Sequence, residues 1–264
     1  MKLNPRPVAL QTWSVRDHWG EDPLACIQSI AEIGYDAIEL HGCDPALIED
    51  LLPDIRGVGL TICGYHAMED RLVDPSDILG WAERIGCPLL VCPYTNRRTG
   101  EEFSALLDIL DRAHERAASR SIAVAYHNHD FEFARRDDGS RIIDELLARD
   151  ALQLEIDLGW AWHAGEDPAA FYDAHSHRCA ALHLKDLTGR PSGPPPAGEG
   201  DELYCPLGDG ACSYDKILSS LANKDDLCPI IVEYDASPTC DTLEAAARSL
   251  NFVRTHFTPA PSDP

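Results

Sequence analysis

The sequence has no long apolar run and few basic residues. No segment approaches the roughly 20 apolar residues that a membrane-spanning helix needs, and the first residues lack the apolar core of a signal peptide. Lys and Arg number 22 against 45 Asp and Glu, which gives a formal net charge of −23. Nucleic acids and anionic membrane surfaces bind basic faces, so this charge argues against both as partners.

Closely spaced cysteine pairs are also missing. The ten cysteines are scattered without a C-x-x-C pair, and the closest two are Cys87 and Cys92. Most lie in apolar segments, which is typical of reduced thiols in a protein core. Together with the lack of an export signal, this predicts a cytoplasmic protein. The chain of 264 residues is long enough to bury a full core without disulfides.

Short apolar segments alternate about eight times with segments of helical period. The apolar segments are Val8–Trp13, Ala37–His41, Leu60–His66, Leu89–Tyr94, Ile122–His129, Leu152–Asp157, Ala180–Asp186 and Ile230–Asp235. The helix candidates are Asp22–Ile33, Pro75–Ile85, Glu101–Arg120, Ser140–Arg149, Ser213–Leu221 and Thr239–His256. A strand followed by a helix, eight times over, predicts an α/β fold of the closed (β/α)₈ TIM barrel type. An open doubly wound sheet is the alternative, but no G-x-G-x-x-G follows the first strand.

Two segments fall outside this alternation. Gly189–Gly200 is too rich in Pro and Gly for a strand or a helix, and it follows the seventh strand. A surface insertion and an active-site lid both remain open for it. We predict a single barrel domain over residues 1–257 and a disordered tail over residues 258–264.

Ionisable residues recur on one face at the carboxyl ends of five predicted strands. Because strand side chains alternate between two faces, this face points to the barrel axis. The residues are Glu39, His41, His127, His129, Glu155, Asp157, His183, Lys185, Glu233 and Asp235. Unpaired charge is costly to bury, so these groups are predicted to converge on a cation and a substrate. Mixed imidazole and carboxylate ligands suit one divalent ion: Mn, Co, Mg, Zn or Fe.

Five segments, in this order, resemble the sugar isomerase/epimerase superfamily with the xylose-isomerase-like barrel. They are AYHNHDFEF at 125–133, LEIDLGWAWHAGEDP at 154–168, LHLKDL at 182–187, PLGDGACSYDKIL at 206–218 and IIVEYD at 230–235. The resemblance extends from QTWSVRD at the first strand to the last helix. The HNH-x-x-E pattern at 127–132 is similar to one branch of this superfamily.

The resemblance implies a metal bound by residues from the fifth to the eighth strands. The implied ligands are Glu132, Asp157, His183 and Glu233. Many relatives carry their first Glu within the fifth strand, at a position that is Ala125 here. Glu132 is therefore taken as the substitute, and His127 or His129 is the alternative for that place.

The remaining candidates are residues for catalysis and for substrate binding. The catalytic candidates are Glu132, Glu233, His127, His129 and Lys185. The substrate-binding candidates are Gln11, Glu39, His66 and Trp160. Lys185 could stabilise an enediolate oxygen or merely neutralise a neighbouring carboxylate.

Residues of this kind serve four functions. The first is a metal-dependent isomerase or epimerase of a keto-sugar or related polyol, which abstracts a proton next to a carbonyl. The second is a metal-dependent dehydratase or lyase that acts on a 3-keto-sugar or 3-keto-glycoside. The acidic charge argues against an abasic-site endonuclease, and the intact ligand positions argue against a non-catalytic sugar-binding protein. The expected partner is a small-molecule sugar, and the resemblance implies that a homo-oligomer could form.

Overall fold

The computed structural model describes residues 6–189, 203–221 and 228–257. The predicted tail at 258–264 and residues 190–200 of the Pro/Gly-rich segment lie outside these residues. Within the described part of the chain, no helix has the length and apolar character needed to cross a membrane.

Eight parallel strands close into a barrel in chain order, and the last strand pairs with the first. The strands are β1 Val8–Gln11, β2 Ala37–His41, β3 Thr61–His66, β4 Leu89–Cys92, β5 Ala123–His127, β6 Gln153–Asp157, β7 Cys179–Leu184 and β8 Ile230–Val232. This arrangement confirms the predicted (β/α)₈ barrel.

Eleven α-helices lie in the described residues and pack around the strands. They are α1 Arg16–Glu21, α2 Pro23–Ile33, α3 Pro45–Gly57, α4 Glu69–Val73, α5 Ser76–Ile85, α6 Gly100–Ala117, α7 Ile142–Leu147, α8 Leu158–His163, α9 Pro168–His175, α10 Tyr214–Leu221 and α11 Thr242–His256. The carboxylates of Asp22, Asp44 and Asp167 cap α2, α3 and α9, each just before a proline in the first turn.

Most strands end earlier than the apolar segments do, because the chain turns at the carboxyl end of the barrel. After β1, Thr12–Val15 forms a 3-10 helix. After β7, Asp186–Leu187 forms a short antiparallel ladder with Tyr204–Cys205. Glu233 lies just past β8, although its backbone N–H still donates to the Leu184 oxygen at 3.1 Å. These early ends place ionisable side chains at the rim of the barrel.

The barrel interior has two layers. Near the amino ends of the strands it is filled by small and aliphatic residues, namely Ala9, Ala37, Leu89, Val91, Ala125, Ala181 and Ile231. One pleat further along the same strand faces lie buried polar residues, among them Gln11, Glu39, His127, Asp157 and His183. The predicted inward face is therefore the observed one, and it carries the candidate site at the carboxyl end.

Candidate metal and active site

Four side chains from the last four strands bring their donor atoms together. His127, Asp157, His183 and Glu233 each offer one ligand atom, and these atoms all lie within 4.8 Å of one another. His127 Nε2 lies 3.7 Å from Asp157 Oδ2, and His183 Nδ1 lies 2.9 Å from Glu233 Oε2. All four side chains are buried. We call this set the metal-binding group.

Two further carboxylates lie behind the histidines of this group. Glu155 Oε2 is 2.9 Å from His127 Nδ1, and Glu39 Oε2 is 2.8 Å from His183 Nε2. An ionised carboxylate can only accept, so each of these imidazoles donates the N–H that faces it. The other nitrogen of the His127 ring, Nε2, then faces Asp157, whereas His183 Nδ1 also donates to a carboxylate, Glu233 Oε2 at 2.9 Å, and a bound metal would replace that proton. Glu39 and Glu155 thereby set the orientation in which both imidazoles could bind a metal.

His66 connects the two carboxylates. Its Nε2 lies 2.8 Å from Glu155 Oε2 and 3.2 Å from Glu39 Oε2. Burial lowers the pKa of His66, but Glu39 and Glu155 outweigh burial and raise it to about 10. The imidazolium balances part of the buried negative charge. His66, His127, Glu155 and His183 also form a second candidate group of ligands, which shares two histidines with the metal-binding group.

The carboxylate of Asp157 is the clearest sign that the metal-binding group fits a cation. Its Oδ1 accepts the backbone N–H of Trp160 at 2.8 Å and so caps α8. Its Oδ2 is buried with no hydrogen-bond partner. Burial raises the pKa of Asp157 to about 7. A divalent cation at this place would compensate the buried oxygen, and two imidazoles with two carboxylates are a chemically suitable donor set.

Lys185 supplies the positive charge beside this group. Its Nζ lies 2.7 Å from Asp235 Oδ2, 3.3 Å from Glu233 Oε2 and 4.7 Å from the centre of the Trp160 ring. Burial favours the neutral form of Glu233, yet Lys185 and His183 hold its pKa well below the usual range. Glu233 is therefore an ionised carboxylate next to a buried ammonium.

The backbone of Lys185 is fixed from two sides. Tyr214 Oη donates to its carbonyl oxygen at 2.8 Å. A Cβ atom at Gly159 would overlap the same oxygen, so glycine is required where α8 approaches β7. These contacts fix the position of the Lys185 backbone and therefore the direction of its side chain.

Glu132 lies apart from the metal-binding group. It belongs to a 3-10 turn, Phe131–Phe133, and its carboxylate accepts from Tyr126 Oη at 2.6 Å and from the His129 backbone N–H at 2.8 Å. Burial raises the pKa of Glu132 to about 8. The sequence offers either Glu132 or a histidine as the ligand from the fifth strand. In the structure His127 lies next to Asp157 in the metal-binding group, and Glu132 does not belong to this group. Its contacts make Glu132 a support for the segment that carries His129.

A cavity of 160 Å³ opens over the metal-binding group. It is lined by Trp13, His41, His66, Pro93, Tyr94, His127, His129, Glu233 and Asp235. Of the four predicted substrate residues, only His66 lines it. Gln11 donates to Glu39 Oε2 at 2.7 Å, and both lie fully buried below the cavity. Trp160 contributes the ring under Lys185.

A larger cavity of 460 Å³ lies outside the barrel, between the α8–α9 connection and the start of α10. Its lining includes Trp162, Pro168 and Ile217, together with Glu166 and Asp167. Neither set of clustered metal-binding side chains reaches it. The chemistry therefore favours the smaller cavity.

Several residues of the site have no individual role in the sequence-based prediction. The alternation places Glu155 and Asp235 on the inward strand faces, two positions from Asp157 and Glu233, but it assigns neither of them as a ligand, a catalytic residue or a substrate-binding residue. Asn128 exchanges two 3.0 Å hydrogen bonds with the backbone of Asp157, between its Nδ2 and the carbonyl oxygen and between its Oδ1 and the N–H. This contact between β5 and β6 has no signal in the sequence.

Comparisons with known proteins agree with the barrel fold. An inosose dehydratase from Bacillus cereus is 23% identical over 164 residues, which are 59% of this chain and 55% of the relative. The match thus spans about half the length of that curated relative. A sugar phosphate isomerase/epimerase from Parabacteroides distasonis has a similar structure, with a TM-score of 0.76, 19% identity and coverage of 98% of this chain and 96% of that chain.

A second solved structure of the same fold contains a metal. It is a xylose isomerase-like TIM barrel protein from Mycobacterium smegmatis in complex with magnesium, with a TM-score of 0.66 and 14% identity. The similarity covers 96% of both chains. A family model described as xylose isomerase-like TIM barrel matches residues 27–256 of this sequence. By fold, by the side chains gathered at the carboxyl end of the barrel and by this match, the chain belongs to the xylose isomerase-like TIM barrel family.

Proposed function

We propose that the protein is a divalent-metal-dependent isomerase or epimerase of a keto-sugar or related polyol. The observation that carries this proposal is the buried Asp157 Oδ2, which has no hydrogen-bond partner, beside His127 Nε2, His183 Nδ1 and Glu233; His127 and Glu233 also line a small cavity. The scattered cysteines and the acidic charge favour a cytoplasmic enzyme with a small-molecule substrate.

His127, Asp157, His183 and Glu233 would hold the ion. When bound, a divalent ion polarises a carbonyl and the neighbouring hydroxyl, which makes the hydrogen on the adjacent carbon more acidic. Mn, Co, Mg, Zn and Fe are all compatible with two imidazoles and two carboxylates. The name of the magnesium-containing relative supports an ion of this kind.

The chain's own groups would move the proton. Glu233 lines the cavity, and its carboxylate would accept the proton from carbon. His129 lines the cavity from the β5 side, and its backbone is fixed by Glu132. Burial lowers the pKa of His129 to about 3, so its imidazole is neutral; once it has taken a proton from a substrate hydroxyl, it can return that proton from a different direction, as epimerisation requires. Lys185, held between Asp235 and Glu233, can donate to a substrate oxygen that gains negative charge.

A dehydratase or lyase acting on a 3-keto-sugar or 3-keto-glycoside is the second candidate. The similarity to a protein named inosose dehydratase favours it. The first step is the same proton abstraction, after which the Lys185 ammonium would protonate a leaving hydroxyl on the next carbon, which departs as water. The name of the Parabacteroides relative supports the isomerase or epimerase instead.

Metal analysis followed by a substrate screen in D₂O tests the proposal. We expect about one divalent ion per chain and deuterium at the carbon next to the carbonyl in at least one keto-sugar. Deuterium exchange without loss of water from the sugar supports the isomerase or epimerase. Release of water together with a new ultraviolet-absorbing enone supports the lyase. Asp157→Asn is the matched negative control. Full exchange in the chelator-treated protein would contradict the proposal.

A further inference from the structure

Two cysteines meet at the amino end of the barrel, opposite the metal-binding group. Cys179 is the first residue of β7, and Cys228 lies two residues before β8. Their sulfur atoms are 3.8 Å apart, although the two residues are 49 positions apart in the chain. The contact therefore joins two neighbouring strands through their side chains, and we call these two residues the cysteine pair.

The surroundings of Cys228 differ from those of other cysteines in the protein. The thiols of Cys43, Cys63 and Cys87 donate to backbone carbonyl oxygens. Cys228 has a guanidinium beside it instead, because Arg6 Nη1 lies 3.7 Å from its sulfur. A cation next to a sulfur atom favours the thiolate, which is the nucleophilic form of cysteine.

The same neighbours give the two sulfur atoms different proton affinities. The hydrogen bond with Cys179 lowers the pKa of Cys228 below its usual range; burial opposes this effect, and Arg6 and Tyr172 add to it. Burial raises the pKa of Cys179 well above its usual range, and the contact with Cys228 adds to this rise. A thiolate beside a thiol supplies both the attacking and the resolving sulfur of a disulfide.

The spacing of the strands allows the two sulfur atoms to bond. β7 and β8 pair in parallel with Leu182 opposite Ile230, and the pairing reaches Pro229, whose carbonyl oxygen accepts the Leu182 N–H at 3.0 Å. Neighbouring strands lie about 4.8 Å apart, and a disulfide spans Cα separations of about 4.4–6.8 Å. Rotation of the side chains is thus enough to bring the sulfur atoms together.

We propose that Cys179 and Cys228 are a redox modification site, at which a peroxide converts the cysteine pair into a disulfide. A small oxidant can reach it, because Cys179 is partly exposed and Cys228 is 9% exposed. In a reducing compartment such a disulfide is transient and regulatory, and cellular thiols reverse it. The inference does not depend on the proposed isomerase or epimerase activity.

The reaction consumes one hydrogen peroxide and releases two waters. The Cys228 thiolate attacks one peroxide oxygen and the O–O bond breaks, which leaves a sulfenic acid and a hydroxide. The hydroxide takes up the proton that the Cys228 thiol released and becomes water. The Cys179 sulfur then attacks the sulfenic sulfur, and the S–O bond breaks. The hydroxyl leaves with the Cys179 proton as the second water.

Thiol counting after peroxide treatment tests the proposal. Reduced, magnesium-loaded protein is treated with hydrogen peroxide, catalase removes the excess, and N-ethylmaleimide blocks the remaining thiols as the protein is denatured. We expect the main product to carry two maleimide groups fewer than the reduced protein, which has ten free cysteines. Peptide mapping should link Cys179 to Cys228, and dithiothreitol should restore all ten thiols.

Single substitutions separate the two roles. Cys179→Ser should leave a sulfenic acid at Cys228 that dimedone captures, whereas Cys228→Ser should leave Cys179 at least about tenfold less labelled by dimedone. Cys240→Ser is the matched control. Cys240 Sγ also lies 3.8 Å from an arginine, Arg248 Nη1, but its other contact is Ser237 Oγ at 3.4 Å. This control should give the same yield of disulfide as the parent.

Three results would overturn the inference. The first is a full set of maleimide groups after a treatment that oxidises free glutathione. The second is a main disulfide that joins other cysteines or two separate chains. The third is equal dimedone labelling of Cys179 and Cys228 in the two single variants. The mapping of the unsubstituted protein decides the first two results, so the test does not depend on the folding of a variant.

Discussion

The amino-end and carboxyl-end layers of the barrel interior use the same strand faces for opposite purposes. Ala37, Ala125, Ala181 and Ile231 fill the lower layer. Two residues further along each of these strands or its extension lie Glu39, His127, His183 and Glu233, which are buried and charged or polar. Strand alternation keeps each pair on one face, so a single pleat separates a packed floor from a reactive group.

This difference separates stability from chemistry along each strand. Small residues in the lower layer let the strands close into a tight barrel, and burial of apolar area stabilises that closure. In the upper layer, carboxylates, imidazoles and Lys185 compensate one another, and one oxygen each of Glu39, Glu155 and Asp157 has no hydrogen-bond partner. Substitutions in the lower layer should therefore reduce the free energy of unfolding, whereas substitutions in the upper layer should reduce metal affinity.

The largest effect is expected from Asp157→Asn. Asn can still cap α8, so the fold should be retained while a charged oxygen is lost from the metal-binding group. We expect manganese affinity to fall by more than about a hundredfold, beyond the range typical of residues that only support a ligand. Metal analysis after dialysis measures the loss, and His183→Ala should behave alike. Normal metal content in both variants would contradict the assigned group.

In the lower layer, Ile231→Ala should act on stability. Ile231 is fully buried, and removing a side chain of this size from a core costs about 2–5 kcal/mol. Urea unfolding of the metal-free protein measures this cost, and Val73→Ala on the exposed surface of α4 is the matched control. Manganese affinity of the folded variant should remain within a few-fold of the parent. A large loss of affinity would mean that the two layers are not separable.

Glu155→Gln tests whether Glu155 binds the metal directly or only orients the histidine ligands. Glu155 lies behind His127 and His66, so its loss should leave the metal-binding group complete but poorly oriented. We expect manganese affinity to fall by about 10–100-fold. Exposed Glu115 on α6 provides the control Glu115→Gln. A loss as large as that of Asp157→Asn would instead make Glu155 a direct ligand.

The smallest effect concerns Glu132 and pH. Its pKa is about 8 in the folded protein because burial favours the neutral carboxyl, whereas in the unfolded chain it is near 4.5. The folded state therefore holds an extra proton between these values, and the free energy of unfolding should fall as pH rises from about 5 to 8. Glu132→Gln should remove about 1–3 kcal/mol of this fall.

Unfolding of the metal-free proteins at pH 5, 6, 7 and 8 measures this contribution as the difference between parent and variant. Manganese affinity should be nearly unchanged, because Glu132 contacts Tyr126 and His129 and not Asp157. A parallel pH dependence in both proteins would show that Glu132 is ionised in the fold.

The sequence by itself determined the barrel and the inward face of its strands. Eight alternations of strand and helix are a property of local periodicity, and the pairs Glu155/Asp157 and His183/Lys185 follow from a period of two. For the same reason, ionisable groups at five strand ends could be assigned to one end of the barrel. Strand ends were overestimated, because the turns after β1, β4 and β8 depend on contacts made by distant residues.

Only the tertiary structure decided which inward groups meet. Periodicity gives the face of a side chain but not its height, which is set by the stagger between neighbouring strands when the barrel closes. That stagger brings His127 level with Asp157, while Glu132, on a turn outside the sheet, is held by Tyr126. It also places Glu39 of β2 against His183 of β7, across the barrel and 144 residues away in the chain. Contacts of this kind exist only once all eight strands have closed, because no local pattern in the sequence records them.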